Sequence, residues 1–136
     1  MQRDLSITVY VVEDEPSVTA TLTAILRNAG FRAIGFTDSS SALESAPFDA
    51  PGLLIADVFM PGLNGIELAL RFKSECPDCK ILLISGHGAA SDMLRFAAEQ
   101  GHHFDFLAKP FHPEHMLEAI RNAFTGDDGR AVVSLV

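Results

Sequence analysis

Asp57 is the residue of this chain that is best placed to do chemistry. It follows the short apolar segment 52–56, which is expected to form a buried strand. In open sheets of parallel strands, ligands bind outside the carboxyl ends of the strands. A carboxylate at that position can bind a cation, or it can attack phosphorus as a nucleophile and form an aspartyl-phosphate.

Other apolar segments also end in residues that suit a phosphate site. Glu13 and Asp14 follow the segment 7–12, and Lys109 follows a segment farther along the chain. If these segments are strands of one parallel sheet, their ends meet at one edge. Carboxylates supply the oxygen ligands that Mg²⁺ prefers, and lysine pairs with phosphate as a point charge. Ser85 ends another apolar segment, and its hydroxyl can donate to the same phosphate.

Apolar segments alternate with helical patterns along the chain, and this alternation predicts the elements that position these residues. Five segments have the pattern of strands: 7–12, 31–36, 53–57, 81–85 and 104–108. Pro16 and Pro113 suit the first turns of helices, and Gly30 and Gly101 suit helix ends. The last helix is predicted to turn five residues inward: Met116, Leu117, Ile120, Ala123 and Phe124. Five strand–helix units in order predict an α/β fold, a mostly parallel sheet with helices on both faces.

Composition narrows the possible classes of protein. The 136 residues suit one domain with a real core. A net charge of −8 disfavours direct binding of nucleic acid, which usually requires a basic surface.

No apolar run approaches the ~20 residues of a membrane span, and no signal peptide is visible. Two cysteines are too few for a disulfide framework, which favours a reducing compartment. We therefore expect a cytoplasmic protein with no membrane partner.

Taken together, the motifs resemble the receiver domain of two-component response regulators. The matching residues are Val12-Glu13-Asp14-Glu15, Asp57 with Met60-Pro61-Gly62 and Gly65, Leu83-Ile84-Ser85-Gly86, and Phe106-Leu107-Ala108-Lys109-Pro110-Phe111. The spacings from Asp14 to Asp57 and from Asp57 to Lys109 are also similar to those of the family. The resemblance implies a flavodoxin-like, doubly wound sheet of five parallel strands in the order 2-1-3-4-5, with five helices. It implies a receiver domain over residues 1–125, followed by a short tail or the start of a linker over 126–136.

The resemblance implies a phosphoacceptor and a metal site. Asp57 would accept the phosphoryl group. Mg²⁺ would be the cofactor, bound by Glu13, Asp14, Asp57 and the backbone carbonyl of Phe59. Without a cation the clustered carboxylates would repel one another, so at least one of their pKa values should be raised.

The resemblance also implies a switch. Ser85 and Lys109 would contact the phosphoryl group, and Ser85 and Phe106 would change conformation on activation. The bond between Lys109 and Pro110 would be a cis peptide, which costs little before proline. Phe106 departs from the common tyrosine because it has no hydroxyl.

Two further features concern regions near the site. The stretch from Ser85 to Lys109 is slightly longer than is usual, and the extra length falls near Gly101-His102-His103. Phe59 and His87 match variable positions beside the phosphorylation site. They are therefore expected to tune the rate of dephosphorylation rather than the capacity for phosphorylation.

The leading hypothesis is a phosphorylation-controlled switch that is not a conventional enzyme. A sensor histidine kinase or a histidine phosphotransfer protein would donate the phosphoryl group to Asp57. The surface of helix 4, strand 5 and helix 5 would then favour a different partner, or a second copy of the chain. The sequence names neither the kinase nor the downstream protein or fused output domain.

Two alternatives belong to other classes. A receiver-shaped interaction module that is never phosphorylated would be favoured by loss of the acidic pair or the lysine, and neither is lost. An aspartate-nucleophile phosphatase of the haloacid dehalogenase type would resemble D-x-D. Phe59 stands at the second of those positions, which argues against turnover.

The cysteines and histidines allow one further hypothesis. Cys76 and Cys79 form a C-x-x-C motif, but it follows the third helix rather than opening one, so it lacks the setting that lowers thiol pKa in redox proteins. If the loops entering strands 4 and 5 are neighbours, these cysteines could meet His102 and His103 as a Cys₂His₂ zinc set. We favour the simpler interpretation that these are ordinary loop residues. Likewise, we expect His112 and His115 to be exposed.

Overall fold

The computed structural model describes residues 7–125, and their strands form one parallel sheet in the order β2-β1-β3-β4-β5. The strands are β1 (Thr8–Val12), β2 (Arg32–Phe36), β3 (Leu53–Asp57), β4 (Lys80–Ser85) and β5 (Asp105–Ala108). The helices are α1 (Pro16–Asn28), α2 (Ser39–Ser45), α3 (Gly65–Glu75), α4 (Ala89–Glu99) and α5 (Pro113–Thr125). The predicted flavodoxin-like fold is confirmed, because strand order and helix number both agree. The residues predicted to form a tail, 126–136, lie outside the described part.

Helices cover both faces of the sheet. Residues of β3 alternate between two clusters, since successive side chains of a strand point to opposite faces. Leu53 and Ile55 pack with α1 and α5 on one face, whereas Leu54 and Ala56 pack with α2, α3 and α4 on the other. Because both faces are covered, β1 and β3 are buried along their whole length, as is typical of parallel sheets.

Helix ends show which local signals the sequence carried. Gly101 follows α4 with φ +94°. The N–H of Gly101 donates to the carbonyl of Ala98, and that of His102 donates to the carbonyl of Ala97, which is a Schellman motif. The extra residues near position 102 therefore lie in an exposed loop after α4. At the start of α3, Asn64 and Glu67 form a reciprocal capping box, a signal that our sequence analysis missed.

The inward face of α5 was predicted correctly except at its end. Met116 and Ile120 are buried, and Leu117 and Ala123 are partly buried. Phe124, predicted to face inward, is 37% exposed. That prediction is wrong because helical spacing identifies the face of a helix but not where the sheet beneath it ends. No helix within residues 7–125 has the length and apolar character needed to cross a membrane.

Gly65 joins α3 closely to the end of β3. Its N–H donates to the carbonyl of Val58 at 2.9 Å. A Cβ atom at Gly65 would overlap the carbonyl oxygen of Asp57 and approach the Cα of Val58 to 2.9 Å. Glycine is therefore required at position 65, because the start of α3 packs directly against the backbone of Asp57 and Val58. This close packing supports the end of β3 that carries Asp57.

We predict that Gly65→Ala lowers the free energy of unfolding by about 1–3 kcal/mol, because the added methyl group must displace backbone rather than a flexible side chain. Gly88→Ala is a matched control at the start of α4, where a Cβ atom meets nothing within 4 Å. Urea denaturation followed by circular dichroism measures both. Equal stability of the two variants would contradict the close-packing argument.

Candidate functional site

A lysine joins two buried carboxylates at the carboxyl edge of the sheet. Lys109 Nζ lies 2.8 Å from Glu13 Oε1 and 2.8 Å from Asp57 Oδ2. Glu13 follows β1, Asp57 ends β3 and Lys109 follows β5, so three separate strands bring these residues together. Glu13 is 2% exposed and Asp57 is 6% exposed. The expectation that these strand ends meet is confirmed for all three residues.

Both oxygens of Asp57 have a hydrogen-bond donor. Oδ2 accepts from Lys109, and Oδ1 accepts from the backbone N–H of Phe59 at 3.0 Å. The following residue, Val58, donates its N–H to the carbonyl of Ile84 at 2.9 Å, which keeps this part of the chain beside β4. A carboxylate oxygen can accept more than one hydrogen bond or bind a cation in addition. Asp57 is thus oriented without being saturated.

Glu13 is held by its backbone as well as by Lys109. Thr19 Oγ1 donates to the carbonyl of Glu13 at 2.6 Å, and the N–H of Glu13 donates to the carbonyl of Phe36. Burial raises the pKa of Glu13 to about 7; Lys109 opposes this shift, and the Asp57 carboxylate adds to it. The predicted rise in a carboxylate pKa therefore occurs at Glu13, but removal from water is a larger cause than repulsion.

Lys109 is charged and tied to β4. Burial alone would lower its pKa, but its hydrogen bonds to Asp57 and Glu13 outweigh that effect and hold the pKa above its usual value. Its N–H donates to the carbonyl of Ser85 at 2.9 Å. The peptide bond between Lys109 and Pro110 is cis, as the resemblance implied.

The backbone of Ser85 contacts Lys109, but the Ser85 side chain is hydrogen-bonded to His87. It is almost completely buried, and its Oγ accepts a hydrogen bond from the N–H of His87 at 3.1 Å. The rings of His87 and Phe59 are in contact, with centroids 4.8 Å apart. The two variable positions that flank the predicted phosphorylation site therefore touch each other.

The donors that are present fit Mg²⁺ in kind, although they do not form a complete set. Glu13 and Asp57 provide two carboxylates that both contact Lys109 Nζ. Mg²⁺ sites usually have one or two carboxylate ligands. Asp14 is exposed. Within residues 7–125, no three acidic, histidine or cysteine side chains are grouped closely enough to hold a metal ion. The Mg²⁺ ligands therefore stay a prediction, and Asp14 would have to turn toward the other two.

Phe106 lies on β5. It is partly buried and packs against the core face formed by α2, α3 and α4. Met93 and Leu94 of α4 pack against the same cluster. A change of the Phe106 rotamer would therefore alter the packing of α4, and that change stays a prediction.

The zinc set suggested by the sequence is not assembled. Cys79 is buried, and burial raises the pKa of its thiol to about 12, which opposes the thiolate that zinc binds. His102 and His103 are exposed, and no group of three or more histidine, cysteine or acidic side chains within residues 7–125 could hold a metal ion. The simpler interpretation as loop residues therefore accounts for them. His112 and His115 are exposed as predicted.

The family model of the "Response regulator receiver domain" matches residues 9–121 of this chain. The chain belongs to the response regulator receiver family. It is 34% identical over 118 residues to the transcriptional regulatory protein FixJ of Bradyrhizobium diazoefficiens, covering 85% of this chain and 55% of that protein. It is 36% identical to the phosphoglycerate transport system transcriptional regulatory protein PgtA of Salmonella typhimurium, covering 85% and 27%.

A solved structure agrees with this assignment. The receiver domain of NtrX from Brucella abortus superposes with a TM-score of 0.77 at 28% identity, covering 88% of this chain and 99% of that one. By contrast, the chain spans about half or less of the length of the two regulators named above. The receiver domain is thus shared with those proteins, whereas their remaining parts have no counterpart in this comparison. Receiver domains of two-component systems act in general through phosphorylation, with Mg²⁺ at the phosphorylation site, and are not conventional enzymes.

We predict that Glu13→Gln stabilises the protein at pH 8 when a chelator removes divalent cations. The pKa of Glu13 is raised from 4.5 to about 7 in the folded state, so its contribution to stability is lost as pH rises from about 4.5 to 7. Above pH 7 the charged form would cost up to about 3 kcal/mol, which the neutral glutamine avoids.

Urea unfolding at pH 5 and pH 8 in the presence of EDTA measures this effect. The difference between the variant and the wild type should be small at pH 5 and large at pH 8. A glutamine variant that is less stable than the wild type at pH 8 would show that the ion pair with Lys109 outweighs the cost of burying Glu13.

Proposed function

We propose that this receiver domain accepts a phosphoryl group on Asp57 from a phosphohistidine of a sensor kinase or phosphotransfer protein, with Mg²⁺ as cofactor. The observation that carries the proposal is the 2.8 Å contact between Lys109 and Asp57 at the carboxyl edge of the sheet. A buried carboxylate held beside a cation is placed to receive an anion. Nothing in the chemistry requires a further catalytic group from this chain.

The residues have separate roles in the transfer. An Asp57 oxygen attacks phosphorus, the P–N bond of the donor breaks, and its electron pair returns to the histidine nitrogen, which takes up a proton. Lys109 moves its positive charge from the carboxylate toward a phosphoryl oxygen. Glu13, Asp14, Asp57 and the carbonyl of Phe59 would hold Mg²⁺, and the charge of the bound cation would offset the repulsion between Asp57 and the incoming group.

Ser85 would link the pocket to the rest of the fold. Its hydroxyl presently accepts a hydrogen bond from the N–H of His87, and it can rotate to donate to a phosphoryl oxygen. That rotation would release the loop between β4 and α4. Phe106 would then turn inward, and the surface of α4, β5 and α5 would favour a different partner or a second copy of the chain.

The two alternatives are less well supported. A module that is never phosphorylated has no need to bury two carboxylates against one lysine, since such an arrangement is costly. An aspartate phosphatase needs an acid/base at the position of Phe59, and this phenylalanine side chain instead contacts the ring of His87. The phosphoacceptor is therefore the function that the geometry favours.

We predict that acetyl phosphate with Mg²⁺ adds one acid-labile phosphoryl group to the protein, and that peptide mapping assigns it to Asp57. Asp57→Asn should abolish the added mass. Asp92→Asn is a matched control, because Asp92 is an exposed carboxylate that pairs with Arg95 on α4. Lys109→Ala should slow the transfer about a hundredfold. Labelling that persists in Asp57→Asn would reject the assignment.

We predict that Mg²⁺ stabilises the unphosphorylated protein, by about 1.4 kcal/mol at ten times its dissociation constant. Asp14→Ala should remove this stabilisation while preserving the fold, because Asp14 is exposed and its truncation leaves no cavity. Asp92→Ala, the matched surface control, should keep it. Thermal melts over a Mg²⁺ titration measure the difference, and a response that is equal in all three proteins would contradict the proposed ligands.

We predict that a beryllium fluoride phosphoryl mimic turns Phe106 inward. Because Phe106 has no hydroxyl, its burial leaves no polar group unpaired and is favoured by about 25 cal/mol for each Å² of apolar area removed from water. NMR should show side-chain shift changes at Phe106 and at Met93 of α4, but not at Phe48, which is 88% exposed and lies after α2. Changes confined to the Asp57 pocket would contradict this route.

A further inference from the structure

Cys76 and Cys79 are held in one turn between α3 and β4. The N–H of Cys79 donates to the carbonyl of Cys76 at 2.9 Å, which closes a β-turn over Pro77 and Asp78. In such a turn the first and fourth Cα atoms lie within about 7 Å, and proline suits the second position because its φ is already correct. Disulfides form between Cα atoms about 4.4–6.8 Å apart. The backbone therefore keeps the two cysteines near the separation that a disulfide needs.

The two thiols differ in access. Both are unpaired, and they are the only two cysteines of the chain. Cys76 is partly exposed, whereas Cys79 is buried and its Sγ donates to the carbonyl of Lys80 at 3.3 Å. An external reagent therefore meets Cys76 first. Cys79 is shielded from reagents, but not from its neighbour in the turn.

We propose that Cys76 and Cys79 form a thiol-oxidation site that closes a reversible intramolecular disulfide by exchange with a low-molecular-weight disulfide. Burial raises the pKa of the Cys76 thiol, so its thiolate is the minor form; that thiolate attacks one sulfur of the reagent, and the first reagent thiol leaves. Cys79, whose thiol pKa burial raises to about 12, then attacks the Cys76 sulfur as its proton passes to the departing reagent sulfur, so the second thiol is released and this second step is the slower one. The two cysteines are oxidised, and the reagent disulfide is reduced to two thiols.

This site is separate from the phosphorylation pocket. Cys79 precedes β4 at the amino edge of the sheet, whereas Ser85 ends the same strand at the carboxyl edge. The proposal therefore does not rest on the proposed function of Asp57, and either can fail without the other. Oxidation would join the residue that follows α3 to the residue that precedes β4.

Tyr10 provides a built-in reporter for the site. It is the single tyrosine of a chain that has no tryptophan, and its hydroxyl donates to the carbonyl of Asp49. Tyr10 and Cys79 belong to the same core cluster, and Cys76 packs against that cluster, so both thiols share the surroundings of this tyrosine. Since a disulfide quenches the fluorescence of a nearby tyrosine, oxidation should be visible in the emission of Tyr10.

The test treats the folded protein with excess oxidised glutathione, then unfolds it in urea with N-ethylmaleimide so that every free thiol is blocked, and measures intact mass. We expect a monomer that is two hydrogens lighter and carries no label, with reduced tyrosine emission that dithiothreitol restores. Two labelled cysteines, a lasting glutathione adduct on the wild type, or a disulfide-linked dimer would each overturn the proposal. So would a disulfide that forms faster in urea than in the folded protein, because the folded turn would then not be its cause.

Single variants provide matched controls. Cys79→Ala should stop at a glutathione adduct on Cys76, because the second attack has no nucleophile. Cys76→Ser should remain unmodified and keep its full tyrosine emission, because Cys79 is buried. Loss of emission in Cys76→Ser under the same treatment would overturn the assignment to this pair.

Discussion

The structure of the site depends on the positive charge of Lys109, which contacts two buried carboxylates. Glu13 and Asp57 both lie at the ends of strands that are covered on both faces, where removal from water penalises their charged forms. Lys109 contacts both at 2.8 Å and so offsets their repulsion. Burial nevertheless outweighs the effect of Lys109 at Glu13, since the pKa of Glu13 is raised to about 7. Burying this charged group is therefore costly in a way that an apolar edge of the sheet would not be.

The loops around this pair are attached to it through backbone groups. Phe59 donates its N–H to Asp57, Gly65 packs directly against the Asp57 carbonyl, and Lys109 donates its N–H to Ser85. A new charge on Asp57 would thus act on α3, on β4 and on the loop before α4 at the same time. These backbone hydrogen bonds and contacts leave little freedom between the Asp57 pocket and the elements around it.

The two edges of the sheet have different chemistry for the same topological reason. All five strands are parallel, so every strand end with a functional side chain lies at the carboxyl edge, and the loops that enter the strands lie at the other. At that amino edge, Arg32 pairs with Asp49, and Cys79 and Cys76 pack in the same core cluster as Tyr10. A chemical change at one edge of the sheet therefore occurs without direct contact with the residues at the other edge.

The sequence by itself determined the strands, their order along the chain and the position of Asp57 and Lys109 at strand ends, because these features depend on short-range periodicity and on turn residues. It also contained the Asn64–Glu67 capping box, which is a local signal. The tertiary structure alone decided which acid pairs with Lys109. Glu13 is buried against it and Asp14 is exposed, because neighbouring residues at a strand end point in opposite directions. Glu13 and Lys109 are 96 residues apart in the chain, so only the register and twist of the assembled sheet bring the two together.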